Sequence, residues 1–398
     1  MPEEADVAPG QQQAVVSDRV TMPPPRPRLD RVTNWMRTHE LSALVVTGAD
    51  LVNWVTGYSR YYGGPAAVVI SPSGDRTLVV LRDEARVAEG LADAERVTGY
   101  GERGFGLELA PLPLLAAEVR SVDAVASAAR VGVAGEHADA IAATTDAAVV
   151  FADDALHRMS MVKDGDELAK IFHSYELCWL AHAAVADGAR EGASEIEMMS
   201  AAQAAAQVAH GGPVEFGADL LAGGNTAEVC GPIAIPGRAR AELGAPVIAD
   251  ICVRADGYWA DTCRTHVHGD NSAVADIRAQ LKDILSAAAS ELRTGAAAAD
   301  VFRAMKARIL AAWPDGEFPH HGGHGVGLSV FDDPHVIPSD SSVLDSWMVL
   351  ALEPGVYLPG RFGVRQENLF LVTPDGAVEL AEAMHRPLSD RALSAWNS

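Results

Sequence analysis

An α/β domain followed by an α+β domain is the fold class this sequence predicts, and three observations carry it. At 398 residues the chain exceeds one compact core of usual size, so two domains are the default. Up to about Phe151, short β-branched runs alternate with amphipathic stretches. Beyond about residue 210, paired strand patterns and an Asp-Gly turn signal replace that alternation, as an antiparallel sheet backed by helices requires.

Taken in order, residues 1–28 are polar and end in Met22-Pro-Pro-Pro-Arg-Pro, which cannot donate regular backbone hydrogen bonds and reads as a disordered or extended lead-in. Order is expected near Leu29, with a helix LDRVTNWMRTHE, a strand ALVVT from Ala43, and strands AAVVIS and TLVVLR joined by Pro72-Ser-Gly-Asp. Tyr58, Arg60, Tyr61 and Tyr62 read as a solvated loop. This first domain is assigned residues 29–157. The charged stretch Arg158 to Asp166 breaks the pattern, and the second domain is assigned residues 158–398. Its helices are expected at Glu167–Arg190, Glu195–His210, near Ser272–Leu292 and at Ala298–Trp313.

Composition narrows the function. Hydrophobic residues make up 48% and charged ones 21%, an ordinary globular balance. The formal charge of -23, from 54 acidic against 31 basic residues, would repel a phosphate backbone, so no nucleic-acid partner is expected. Cys178, Cys230, Cys252 and Cys263 lack CxxC spacing and are too few for a disulfide framework. No apolar run approaches a membrane span and the first residues are acidic where a signal peptide would be basic. A cytoplasmic protein without a membrane partner is the expectation.

The chemistry begins in Pro246 to Gly269, where two apolar-rich strands flank Asp256-Gly257. A type I′ turn there needs positive φ twice, which Asp-Gly supplies. With that turn position 250 faces 263 and position 252 faces 261, so Asp250 and Asp261 become diagonal neighbours on one face. Two such carboxylates in a mostly buried sheet repel unless a cation or a proton resolves the conflict; one aspartate in a turn and the other on a wet face is the alternative. Phe318 to Pro334 adds a glycine-dense loop with His320, His321 and His324, a ligand set or a hydrogen-bonded loop. The segment from Trp347 to Gly376 adds Glu353 in Glu-Pro-Gly and Glu367 among apolar neighbours. An unpaired carboxylate there is costly, and either Arg365, two residues before it, or a metal is its partner.

Together these parts are more specific than any alone: an Asp pair eleven apart, then Gly-His-Gly, Glu-Pro-Gly and Gly-Val-Arg-x-Glu. The constellation resembles the pita-bread metallopeptidase family, which includes Xaa-Pro dipeptidase, aminopeptidase P and creatinase. Ala43 to Tyr58 looks like the start of a creatinase-type N-terminal domain, and Met161 to Ile171 like the lead into the catalytic one. The resemblance implies a creatinase-like α/β N-terminal domain, an α+β pita-bread catalytic domain and a homodimer. It implies metal ligands at Asp250, Asp261, His324, Glu353 and Glu367, and catalytic roles for Glu353 and His320. Two divalent ions, manganese first with cobalt, zinc or iron as alternatives, would balance four carboxylates and hold a bridging hydroxide near neutral pH.

The sequence departs from the family at two places. Cys230 and Phe331 stand where family peptidases usually carry histidines that touch substrate or move protons. Both, with Arg365, are taken as substrate-binding, although a small buried filler is the plainer reading of Cys230. His335, four residues after Phe331, reads as a surface histidine. The expected function is dinuclear metal-dependent hydrolysis of a C–N bond in a short peptide, Xaa-Pro peptidase-like. The alternatives are an amidohydrolase or lyase acting on a small metabolite, with Cys252 standing where the related lyases carry an extra aspartate, and a non-catalytic binding module.

Overall fold

The computed structural model describes residues 28–59, 63–104, 108–227, 235–374, 376–384 and 388–397. The proline-rich lead-in, residues 60–62 and Cys230 lie outside them. The first half runs α1 (Arg28–Thr38), β1 (Ala43–Thr47), α2 (Ala49–Thr56), β2 (Ala67–Ile70), β3 (Arg76–Leu81), α3 (Ala85–Leu91), β4 (Arg96–Tyr100), α4 (Pro111–Ser121), α5 (Asp123–Ala126), β5 (Arg130–Ala134), α6 (Ala138–Ala142), β6 (Ala148–Phe151) and α7 (Asp153–Met161). The strands form one six-stranded sheet in the order β4-β3-β2-β1-β5-β6. Pairs β1/β2 and β2/β3 are antiparallel and the others parallel, so helical crossovers cover both faces and the central strands are buried. The charged stretch from Arg158 does not break the pattern at once: Arg158 to Met161 complete α7, whose Leu156, Ser160 and Met161 face inward. Tyr58 is buried rather than solvated, its hydroxyl donating to Glu84 Oε2 at 3.2 Å.

The second half runs α8 (Gly165–Arg190), α9 (Glu195–His210), β7 (Glu215–Ala222), β8 (Pro246–Ala255), β9 (Tyr258–Val267), α10 (Ser272–Ala289), α11 (Ala298–Ala312), β10 (Gly323–Gly325), β11 (Asp332–His335), β12 (Val349–Leu352), β13 (Gly355–Leu358), β14 (Phe362–Arg365), β15 (Asn368–Thr373), β16 (Gly376–Glu379), α12 (Leu380–Ala383) and α13 (Asp390–Asn397). Antiparallel β7-β8-β9 and β11-β10-β12-β15-β16 are its main sheets, linked where Cys263 bridges Glu367. Both long helices start on capping boxes, Asp164 with Glu167 and Ser194 with Glu197, which satisfy backbone N–H groups that the first turn leaves orphaned.

Glu167 also joins the halves. Fully buried, it accepts from Trp54 Nε1 at 3.0 Å and Tyr258 Oη at 3.3 Å, and Arg31 stands 3.8 Å away. Packing of Leu168, Ile171, Tyr175 and Trp179 along α8 seats that helix on the β8–β9 hairpin.

The hairpin register is the one the Asp-Gly signal predicts: Asp250 opposes Cys263 and Cys252 opposes Asp261. Asp256 and Gly257 have φ of 51° and 80°, as a type I′ turn requires. A Cβ on Gly257 would lie 2.3 Å from Asn53 Nδ2. Gly257→Ala should therefore lower global stability by about 1–3 kcal/mol. Gly90→Ala, in helix α3 with nothing within 4 Å, should not lower it. Thermal melts of the two variants check the pair.

Candidate metal centre

Three chain segments converge on one buried cluster. The hairpin supplies Asp250 from β8 and Asp261 from β9. His324 sits in β10, held close to β12 because Gly323 takes φ of 143° and a Cβ there would lie 2.0 Å from the Ala351 carbonyl. Glu353 follows β12, its N–H donating to Gly322 O at 3.1 Å. Glu367 lies between β14 and β15, tied to the hairpin by paired backbone bonds with Cys263 of 2.9 and 3.3 Å.

His324 Nε2 lies 3.8 Å from Asp261 Oδ2 and 3.9 Å from both Glu353 Oε1 and Glu367 Oε1. Its Nδ1 donates to the Gly325 carbonyl at 2.9 Å, which fixes the tautomer so that the Nε2 lone pair faces the carboxylates. Asp261, His324 and Glu367 each present an atom within 4.8 Å of the others. Asp261 Oδ1 and Glu367 Oε1 are buried with no hydrogen-bond partner, a costly state that a cation would relieve. Four carboxylates and one neutral imidazole fit hard-to-borderline divalent ions, so the residues present suit a two-metal centre.

Electrostatics say the same. Burial first, then the charges of Asp250 and Glu353, push Asp261 well above the usual carboxylate range. Burial and the charges of Asp261, Asp250 and Glu353 do likewise to Glu367. Burial lifts Asp250 to about 6 against the pull of Arg365. It also works upward on Glu353, but the hydrogen bond from His321 and the imidazoles of His320 and His324 hold that carboxyl down at about 2. Burial keeps His324 neutral, its pKa lowered to about 4.

Arg365 does not pair with Glu367. Its Nη2 reaches Asp250 Oδ2 at 2.9 Å and Asp219 Oδ2 at 3.2 Å, so it ties β14 to β7 and β8. Asp219, opposite Asp250 on β7, went unread in the sequence; the alternation in EFGADLLA beside an aspartate strand was its only signal. His321, noticed only as part of a glycine-rich loop, places Nδ1 2.7 Å from Glu353 Oε1. His320 is 3.5 Å from Glu353 Oε2 and its Nε2 meets the Tyr357 hydroxyl at 3.0 Å. Phe331 stands edge-on to His324, ring centroids 4.7 Å apart, and remains half exposed. His335 is half-buried and bonded to Asp333 at 2.8 Å. Cys230 is not among the described residues.

With this geometry in view, a family model described as Metallopeptidase family M24 matches residues 169–374, and one for the Creatinase/Prolidase N-terminal domain matches residues 28–159. The chain belongs to metallopeptidase family M24. It is thus a metal-dependent hydrolase of metallopeptidase type, with the creatinase-like N-terminal and pita-bread catalytic architecture expected from its sequence. Among curated proteins, Probable dipeptidase PepE of Mycobacterium tuberculosis is 29% identical over 358 residues, which cover 87% of this chain and 91% of that one. Among solved structures, Dipeptidase PepE from Mycobacterium ulcerans is 25% identical, with a TM-score of 0.68 over 91% of this chain and 96% of that one. The X-Pro aminopeptidase from Thermotoga maritima MSB8 shares the fold at a TM-score of 0.74 and 20% identity, over 91% of this M24 chain and 98% of its own.

Replacing Glu367 by Gln removes a buried, unpartnered carboxylate and a metal donor at once. The metal-free variant should melt no lower than the metal-free parent. It should lose most of the rise in melting temperature that divalent ions give the parent. Calorimetric scans with and without manganese check both.

Proposed function

We propose that this M24 hydrolase is a dinuclear dipeptidase-type enzyme that cleaves the C–N bond of short peptides, Xaa-Pro dipeptides foremost. The observation that carries the reading is the convergence of Asp250, Asp261, His324, Glu353 and Glu367 with two carboxylate oxygens left unpartnered. The dipeptidase names of the relatives support the substrate class. In the same reading residues 29–157 are the N-terminal domain and 158–398 the catalytic one, manganese is the working ion ahead of cobalt, zinc or iron, and the chain works as a homodimer. The free thiols of Cys178, Cys252 and Cys263 support a cytoplasmic setting.

Two divalent ions held by those five side chains would acidify a water and polarise the scissile carbonyl. The chain's own groups do the rest. Glu353, kept ionised by the imidazoles beside it, accepts the proton of the attacking water and hands it to the leaving nitrogen. His320, buried and neutral, donates Nδ1–H to the His321 carbonyl at 2.7 Å and accepts from the Tyr357 hydroxyl at Nε2, so its role is to fix the loop that sets His321 against Glu353. Arg365, shared between Asp250 and Asp219, is a positioning residue in this scheme, because its guanidinium is committed and buried. Phe331 supplies an apolar wall beside His324 that suits a pyrrolidine ring.

That same Phe331 favours a second reading, a small amidine or amide metabolite as substrate, since an imidazole stands there in family peptidases. A lyase has less support: Cys252 is held as a neutral thiol by burial and donates to Gly217 O at 3.5 Å, so it offers no extra carboxylate.

Purified protein loaded with manganese should hydrolyse Xaa-Pro dipeptides in a panel that also contains longer Xaa-Pro peptides, creatine and cyclic amidines, read by mass spectrometry. Glu353→Gln should lower kcat by about 10²–10⁴-fold. Turnover confined to an amidine would establish the second reading in place of the first. Phe331→Ala should raise KM for proline dipeptides more than it lowers kcat, as loss of apolar contact made equally in ground and transition states would. Steady-state kinetics check the split.

A further inference from the structure

Away from the metal centre, at the turn end of the β8–β9 hairpin, lies a second convergence of ligand atoms. His173 projects from α8, His210 from the last turn of α9, and Asp256 from the turn itself. One ligand atom from each lies within 4.8 Å of the other two. His173 Nε2 and His210 Nδ1 face each other at 3.1 Å, and the rings are tilted with centroids 5.4 Å apart. The turn is about 20 Å along β8 from Asp250, at roughly 3.3 Å per residue, so the two clusters are separate.

We infer that His173, His210 and Asp256 form a second, mononuclear site for a transition-metal ion, zinc above all. Two imidazoles and a carboxylate are the donor set of a three-ligand zinc site with water in the fourth place. Ligands about 2.0–2.1 Å from a tetrahedral ion sit about 3.3 Å from each other, close to the spacing of the two nitrogens already present. Soft ligands are absent and oxygen is in the minority, which selects zinc, cobalt or nickel over calcium or magnesium.

The site is held in place by its surroundings. Ser174, next to His173, accepts from Ala255 N at 3.1 Å and donates to Tyr258 O at 2.8 Å, locking the turn that carries Asp256 to α8. His210 closes α9, where the carbonyl end of the helix favours a cation. Lys170, the nearby cation, lies over the Tyr258 ring 5.3 Å from its centroid and feels the charge of Asp256. Asp256 is exposed and both histidines are half-buried, so an ion has access from solvent. Bound there, it would pin the hairpin turn to α8 and α9, the two helices behind the strand pair that carries Asp250 and Asp261.

The test is zinc stoichiometry of the full chain, stripped with chelator, reloaded with zinc chloride, dialysed and measured by elemental analysis. The parent should retain one zinc per chain more than His173→Ala or His210→Ala. Cobalt loading should give the parent a visible absorption component that both variants lack. Turnover with manganese should stay within twofold in each. Asp256→Asn, which keeps the turn and weakens one ligand, should lose the extra ion at a lower chelator concentration than the parent, so a folding defect in a histidine variant does not decide the outcome. Equal zinc content and equal cobalt spectra across the parent and all three variants would overturn the site and leave the histidines as a hydrogen-bonded pair.

Discussion

Four carboxylates gathered around one neutral imidazole are only partly answered by the side chains about them, Arg365 on Asp250 and His321 on Glu353, and much of the catalytic half is organised around enforcing the cluster. Asp261 and Glu367 keep oxygens without partners, and burial forces both toward their protonated forms. In the proposed dinuclear reading, two divalent ions would bring four positive charges to four negative ones. The cost of desolvating the acids without cations then becomes the source of metal affinity, because a site that is strained when empty gains most on filling.

Such a cluster holds its shape only if the backbone prevents the carboxylates from swinging apart. The hairpin does so through register, since a one-residue slip would send Asp250 and Asp261 to the other face. Paired bonds between Cys263 and Glu367 fix the third element against the first, and the close approach of β10 to β12 at Gly323 fixes the fourth. Arg365 adds a brace that answers the charge of Asp250 and shares it with Asp219.

The parts read correctly from sequence are those in which local chemistry and global fold agree. Asp256-Gly257 announces its turn type, a turn type sets a register, and the register puts two aspartates together, so three levels follow from two residues. Helices α8 and α9 are legible from their pattern, and their capping boxes show why they begin where they do. What was not legible depends on segments far apart in the chain. Asp219 meets Arg365 across 146 positions, and nothing in either local pattern points to the other. His321 looks like its neighbours in a histidine-rich loop until folding brings Glu353 within 2.7 Å. Spacing leaves Arg365 and a metal both open as partner of Glu367; strand β14 ends at Arg365, whose guanidinium goes to Asp250 and Asp219 instead. Tyr58, in a segment rich in polar and glycine residues, is buried because its ring joins the hydrophobic core, with its hydroxyl donating to Glu84.

The buried Glu167 shows how the two halves constrain one another. Lys163, a few residues earlier, is itself buried, its ammonium 3.5 Å from Asp332 and bonded to Ser160 O at 2.6 Å. Asp332 is next to Phe331, so the junction between α7 and α8 anchors the segment that places an aromatic ring against His324. His157 of α7 reaches the same segment through Asp333 at 2.8 Å. The segment that carries Phe331 is thus held from both sides of the junction, by His157 of the N-terminal half and by Lys163 just after it. A change in how the N-terminal half packs would be felt at Phe331 before it reached the five clustered side chains, because those are tied to one another by strand pairing within the catalytic half.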